Sequence, residues 1–268
     1  MSMFSRRRFF STAGLAGITV TGAGLVPGGV RAGEAGGGFS VPENERGLTF
    51  VFQGDSITDG NWGRNLKDLN HHLGHGYVFA IASRLGADFP RAGFGFHNRG
   101  VGGQGVSGLE KRWERDALAL KPDVLSILIG VNDVMAIARK RSDAADVATY
   151  TAVYRRLLKR SRDANPNLIL VLGLPFLYRV GGYGKLLDAA GGEMPRHVDA
   201  VRELAREFNA VLVDYPAMFE RAAKEAPMRH WIWDGCHPTV FGHELMAREW
   251  IRRLGGRLRF LKAYKCLF

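Results

Sequence analysis

Short, almost uninterrupted apolar runs recur along this chain, and helix-like segments separate them. Residues 48–52 (LTFVF), 124–129 (VLSILI), 168–174 (LILVLGL) and 210–213 (AVLV) are the clear runs, and Phe94-Gly95-Phe96 is a weaker fifth. A strand wetted on one face alternates polar and apolar residues. A run that is apolar throughout suits a parallel strand covered on both faces. The intervening segments 77–85, 108–120, 143–164, 196–208 and 239–254 carry helical periodicity. In 143–164, Val147, Tyr150, Tyr154, Leu157 and Leu158 fall on one stripe, with basic residues opposite. Strand and helix in alternation predict one α/β domain over 47–255. It is a three-layer sandwich, with a doubly wound, mostly parallel five-stranded sheet and helices on both faces.

Composition removes several other classes. The chain has 268 residues, 46% hydrophobic and 24% charged, which excludes disorder, collagen and a polytopic membrane protein. Two cysteines exclude a disulfide framework and a four-thiolate zinc site. The formal charge is +11, but residues 1–32 carry four arginines and no acid. That leaves 33 basic against 26 acidic residues, an excess of +7. This excess is scattered rather than focused on one face, so it predicts a soluble basic surface and no nucleic-acid partner.

The opening, MSMFSRRRFFSTAGLAG, places Arg6, Arg7 and Arg8 before Phe9, Phe10 and a Gly-rich, weakly apolar stretch. This resembles a twin-arginine export signal, with Val30-Arg31-Ala32 as the cleavage site. The many glycines and Pro27 make the stretch a poor membrane span. Residues 1–32 are therefore read as a removable address served by the twin-arginine export machinery. The mature protein is expected in the periplasm or outside the cell, with no stable membrane insertion after cleavage. Residues 33–46 read as a flexible linker and 256–268 as a C-terminal tail.

In doubly wound sheets ligands bind beyond the carboxyl ends of the strands. After the first run, Gly54-Asp55-Ser56-Ile57-Thr58-Asp59-Gly60 sets a serine in a strand-to-helix turn. Ser56 is either a helix cap or a hydroxyl presented beside helix-start N–H groups. The motif is not the G-x-S-x-G elbow, because position 58 is Thr. After Phe96 comes the loop-like Asn98-Arg99-Gly100-Val101-Gly102-Gly103-Gln104-Gly105, which is no dinucleotide fingerprint. After the 124–129 run comes Gly130-Val131-Asn132-Asp133, where an amide side chain follows a buried strand. Late in the chain, Trp231-Ile232-Trp233-Asp234-Gly235-Cys236-His237-Pro238 sets an aspartate three residues before a histidine in a turn. A carboxylate so placed can hold one imidazole nitrogen while the other faces outward, as a general base requires.

These four blocks, in this order, resemble the SGNH, or GDSL, hydrolase family, over residues 48–254. GDSITDG, LGHGYV, NRGVGG and WDGCHPTVFGHELMAREWI look like its acetylxylan-esterase-type branch, which removes acetyl groups from polysaccharide sugars. The resemblance implies the family's flavodoxin-like fold. It also implies Ser56 as nucleophile, His237 as base and Asp234 as its orienting acid. The oxyanion hole would be built from Ser56, Asn132 and a glycine, Gly103 by spacing with Gly102 as the alternative. It implies hydrolysis of small acyl esters on carbohydrate, with no metal or cofactor required. Small-molecule or polysaccharide esters are the expected substrates. The rival readings are a lipid-directed esterase, lysophospholipase or thioesterase, a sugar acyltransferase, and a carbohydrate-binding protein on a dead hydrolase fold.

Asp55, Trp231 and Trp233 are the candidate substrate-contacting side chains. The tryptophans stack on sugar or pack in the core. His71, His72 and His75 read as solvated surface rather than metal ligands, and Asp133 as a structural hydrogen-bond partner. Asp59 reads as a first-turn helix acid, and Trp113 and His243 as packing and helix-surface residues. Cys236 is read as a small buried residue, with pairing to Cys266 the other option. The segments 61–73 and 178–193 and the tail depart from the family pattern.

Overall fold

The computed structural model describes residues 41–262 and 264. The export segment 1–32, most of the 33–46 linker, and Cys266 lie outside the described residues. The chain runs β1 (Thr49–Gly54), α1 (Ser56–Asp59), α2 (Tyr77–Asp88), β2 (Gly95–Gly100), α3 (Val106–Asp116), β3 (Val124–Leu128), α4 (Val131–Ala138) and α5 (Val147–Ala164). It continues through β4 (Ile169–Gly173), α6 (Gly184–Ala189), α7 (Glu193–Glu207), β5 (Val211–Val213), α8 (Tyr215–Ala222), α9 (Met228–Trp231), α10 (Val240–Leu254) and α11 (Arg259–Lys262). The strands form one sheet in the order β2-β1-β3-β4-β5, with every neighbouring pair parallel. This is the flavodoxin-like order, whose switch point lies between β1 and β3. Among the described residues no helix is long and apolar enough to cross a membrane.

The two-residue period of β1 shows both faces covered. Phe50 and Phe52 meet Trp250 of α10, whose indole N–H donates to the Ser126 hydroxyl of β3. Gln53, the residue after Phe52, points the other way, to α3. Its amide donates to the Asp116 carbonyl at 2.7 Å and its carbonyl receives Arg112 Nη1 at 2.7 Å. Trp113 on the same helix is fully buried and donates to Ser161 of α5.

Helix starts follow side-chain chemistry more closely than periodicity. The segment expected from 143 begins at Val147, because Asp146 accepts the Thr149 N–H at 2.8 Å while Asp143 is held by Arg141. Thr239 is likewise a cap, accepting from Gly242, and α10 starts one residue later. The larger correction is at β2. Residues 98–100, expected in a loop, are strand and pair with Phe52, Gln53 and Gly54. Polar Asn98 is tolerated at full burial because its amide donates to the carbonyls of Thr58, Asp59 and Leu73, and its carbonyl accepts from Gly100.

Both ends of the domain extend past the expected limits. Residues 43–45 form a short 3-10 turn rather than linker. The buried Glu45 carboxylate accepts the N–H groups of Arg259 (2.8 Å) and Phe260 (3.1 Å), capping α11. Phe260 packs on Phe89 and Phe94, so this part of the tail is core.

Arg112 is the polar hub beneath the strand ends. Besides Gln53 it donates to the carbonyls of Arg99 (2.6 Å) and Gly54 (3.2 Å) and to Gln104 Oε1 (2.7 Å). Its replacement would strand several buried acceptors at once. Arg112→Met should lower unfolding free energy by about 3–5 kcal/mol in urea titrations. A loss under about 1 kcal/mol would show that the network contributes little.

Candidate active site

The parallel register sets Gly54 opposite Gly100 on one side and Leu128 on the other. The residues following β1, β2 and β3 therefore leave the sheet at one level, around the switch point. Ser56 is the first residue of α1. Asp55 caps that helix, its carboxylate accepting the Ile57 N–H at 3.0 Å. The Ser56 hydroxyl lies 2.8 Å from Nε2 of His237, and Nδ1 of that ring lies 2.7 Å from Asp234 Oδ2. The other Asp234 oxygen accepts the backbone N–H groups of Cys236 (2.9 Å) and His237 (2.7 Å). An ionised acceptor so placed holds the imidazole proton on Nδ1. Nε2 is then left to accept the serine proton.

The two candidate glycines separate on geometry. The Gly102 N–H is taken by Asp59 Oδ2 at 3.0 Å. Gly103, at φ +76°, lies on the cleft wall, and its N–H donates to no group among the described residues. Asn132 sits in the first turn of α4; its amide donates to the Gln104 carbonyl at 3.1 Å and also acts on the Asp55 carboxyl. The Ser56 N–H is a helix-start donor without an intrahelical partner. Ser56, Gly103 and Asn132 thus line the same cleft.

The cleft is about 530 Å³ and is walled by Ser56, Gly103, Asn132, Tyr183 and His237, with further residues of α3 and α4. Three candidate contact residues are not on its wall. Asp55 is fully buried as a cap. Trp231 gives its indole N–H to the carbonyls of Ala222 and Ala226 and is structural. Trp233 is 58% exposed outside the cleft. No sequence periodicity marks Tyr183, which comes from the 178–193 segment and stands edge-on to His237 at 5.8 Å. That segment also clamps the Asp234 turn. Tyr183 N–H donates to the Asp234 carbonyl and Tyr178 N–H to that of Gly235, both at 2.8 Å. A Cβ at Gly181 would stand 2.5 Å from the Asp234 Cα, so only glycine allows this approach.

The remaining candidates have structural partners. Asp133 accepts the Val106 N–H that starts α3. Asp59 binds Gly102, Arg64 and the Trp62 N–H, which is more than a first-turn acid does. His243 is buried rather than on the surface. Burial, with His75 and His237 nearby, pushes it down to about 3, and its neutral Nδ1 accepts the Tyr77 N–H. Cys236 is buried, which pushes its thiol up and away from nucleophilic form. His71 is exposed and paired with Asp68. Among the described residues no cluster of metal-ligating side chains occurs.

Burial raises the Asp55 carboxyl to about 7, opposed by the Ile57 N–H and reinforced by the Asp133 charge. Its Oδ2 is buried without a partner. Between about pH 4 and about 7 the folded state therefore holds a proton that the unfolded chain has released. Stability should fall as pH rises through that window, by on the order of a few kcal/mol in total. Asparagine caps equally well. Asp55→Asn should flatten the pH dependence of thermal unfolding across this window, and an unchanged profile would contradict the assignment.

Residues 52–245 match the GDSL-like lipase/acylhydrolase family. An acetylxylan esterase of Geobacillus stearothermophilus is 32% identical over 213 residues, 78% of this chain and 94% of its own length. Its crystal structure superposes with a TM-score of 0.70, covering 78% of this chain and 95% of that one. Two solved forms of that esterase are described as catalytic mutants, a serine replaced by alanine in one and an aspartate in the other. A GDSL-like protein of Parabacteroides merdae is 36% identical, with a TM-score of 0.75 over 81% of this chain and 98% of that one. The chain belongs to the GDSL-like lipase/acylhydrolase family and is a carboxylic-ester hydrolase.

Proposed function

We propose that the chain hydrolyses acetyl and similarly short acyl esters on carbohydrate, through an acyl-enzyme on Ser56. The observation that carries this reading is the unbroken Ser56–His237–Asp234 hydrogen-bond chain opening onto the cleft. A serine hydroxyl is a poor nucleophile until a base takes its proton. His237 Nε2 takes it as Oγ attacks the ester carbonyl carbon. The N–H groups of Ser56 and Gly103 and the side-chain amide of Asn132 receive the oxyanion. The imidazolium returns the proton to the leaving alcohol while Asp234 stabilises its charge. Water, deprotonated by the same nitrogen, then frees the acid and restores the serine.

The short-acyl preference rests on the cleft wall. Gly103, Gly105, Ser107, Gly108, Ala136 and Ala145 are small, and Met135 is the one long aliphatic side chain on it. Each buried methylene is worth about 0.8 kcal/mol, and little apolar wall is available to supply it. The carbohydrate preference is supported by the 32% identity to an acetylxylan esterase. The twin-arginine segment supports export to the periplasm or beyond. Changing Arg6 and Arg7 to Lys in a fusion to a reporter should abolish export, and unaffected export would overturn that part.

The functional test is kinetic. Ser56→Ala and His237→Ala should each lower kcat on p-nitrophenyl acetate by about 10⁴-fold or more, with thermal unfolding unchanged. Asn132→Ala should lose about 10²- to 10³-fold. Wild-type kcat/KM should fall at least about tenfold from acetyl to octanoyl esters, for want of methylene burial. Ser56→Ala with wild-type turnover overturns the nucleophile. An octanoyl preference overturns the carbohydrate-acetyl reading in favour of lipid.

A further inference from the structure

The cleft wall carries more positive charge than the proposed chemistry uses. Lys111 projects from α3, while Arg139 and Arg141 follow α4 on the other side. Two acids share that wall, and both are committed. Asp133 is buried against the Val106 N–H at 3.0 and 3.2 Å. Asp143 is held by Arg141 in a two-pronged pair at 2.8 and 2.7 Å. Arg141 is thereby neutralised. Lys111 feels the Asp143 charge from a distance, but among the described residues neither it nor Arg139 stands within ion-pair distance of an acid, and Asp143 is already taken by Arg141. Many exposed arginines elsewhere are matched, such as Arg155 to Glu207 and Arg156 to Glu110.

Arg139 is also placed with respect to the reacting groups. Its guanidinium lies over the Tyr183 ring, 5.8 Å from the centroid, and that ring stands 5.8 Å from His237. The cation is therefore one aromatic ring removed from the proposed base. Attraction to the α4 C-terminus accounts for a cation at Arg139 but not for Lys111, which comes from the middle of α3. A planar guanidinium and a point ammonium, neither in an ion pair and both facing one cleft, suit a carboxylate on the bound molecule. A neutral sugar needs neither.

We infer that Lys111 and Arg139 form a subsite for a carboxylate, so that the preferred substrate is an acetylated acidic oligosaccharide. Its uronic acid group would lie a sugar ring or two from the scissile ester. This inference rests on the carbohydrate-ester reading above. The carboxylate takes no part in bond making. It lowers KM by charge attraction within the cleft, an effect that salt screens.

The test compares two acetylated xylo-oligosaccharides, one with a glucuronic acid branch and one with that carboxyl reduced to the alcohol. Acetate release gives kcat/KM for each. The acidic substrate should be favoured roughly fivefold to tenfold at low salt, the scale of partly exposed ion pairs. The ratio should fall toward one in about 0.5 M NaCl, and likewise in the double variant Lys111→Gln, Arg139→Gln. Equal kcat/KM for the two substrates overturns the carboxylate subsite while leaving the carbohydrate reading standing. So does a preference that persists in the double variant. No acetate from either glycan, with p-nitrophenyl acetate still hydrolysed, overturns the carbohydrate reading and this inference with it.

Discussion

Everything at the site depends on how closely three parallel strands end together. Gly54, Gly100 and Leu128 are level in the sheet, and the turn after β1 packs directly onto its neighbours. A Cβ on Gly54 would stand 2.5 Å from the Leu128 carbonyl and 2.2 Å from the Thr58 hydroxyl. A Cβ on Gly100 would stand 2.2 Å from the Asp59 N–H. Side chains at either position would push the serine turn away from the glycine loop and from Asn132. The donors around Ser56 are set by backbone approach, and Arg112 and Asn98 hold that backbone by satisfying its buried carbonyls.

The other half of the site arrives from the far end of the chain and is fixed differently. The Asp234 turn does not extend a strand. It is clamped by two backbone hydrogen bonds from the 178–184 region and by the close pass of Gly181. That region also supplies Tyr183, which joins the base to the cationic side of the cleft. One insertion thus positions the Asp–His pair and shapes what can bind beside it. Rigid placement of the reacting groups and a variable wall are separable here, as is usual where loops are mounted on a sheet.

Much of this was legible in the sequence, for identifiable reasons. β1, β3 and β4 announced themselves because strands covered on both faces must be apolar. Three of the four chemistry-bearing blocks stood where strands end, after β1, β2 and β3. β2 was legible only in part, because its polar half is buried by side-chain hydrogen bonds that a hydropathy pattern cannot register. Asp234 and His237 were legible because both lie in one turn. Tyr183 and the clamp were not, since they depend on contacts between the 178–184 region and a turn some fifty residues later. Asp55, Trp231 and Trp233 drew notice by their nearness in sequence to Ser56 and His237. Nearness in sequence did not bring them to the cleft: one caps a helix, one anchors α9 and the third faces solvent.

The claim at the centre is that one alcohol becomes covalently acylated, and mass spectrometry of the acid-quenched protein during turnover of p-nitrophenyl acetate reads it directly. The added mass of one acetyl group is expected on the peptide containing Ser56, and none in the Ser56→Ala protein. Acetyl on a different residue, with rapid turnover persisting in the Ser56→Ala protein, would contradict it.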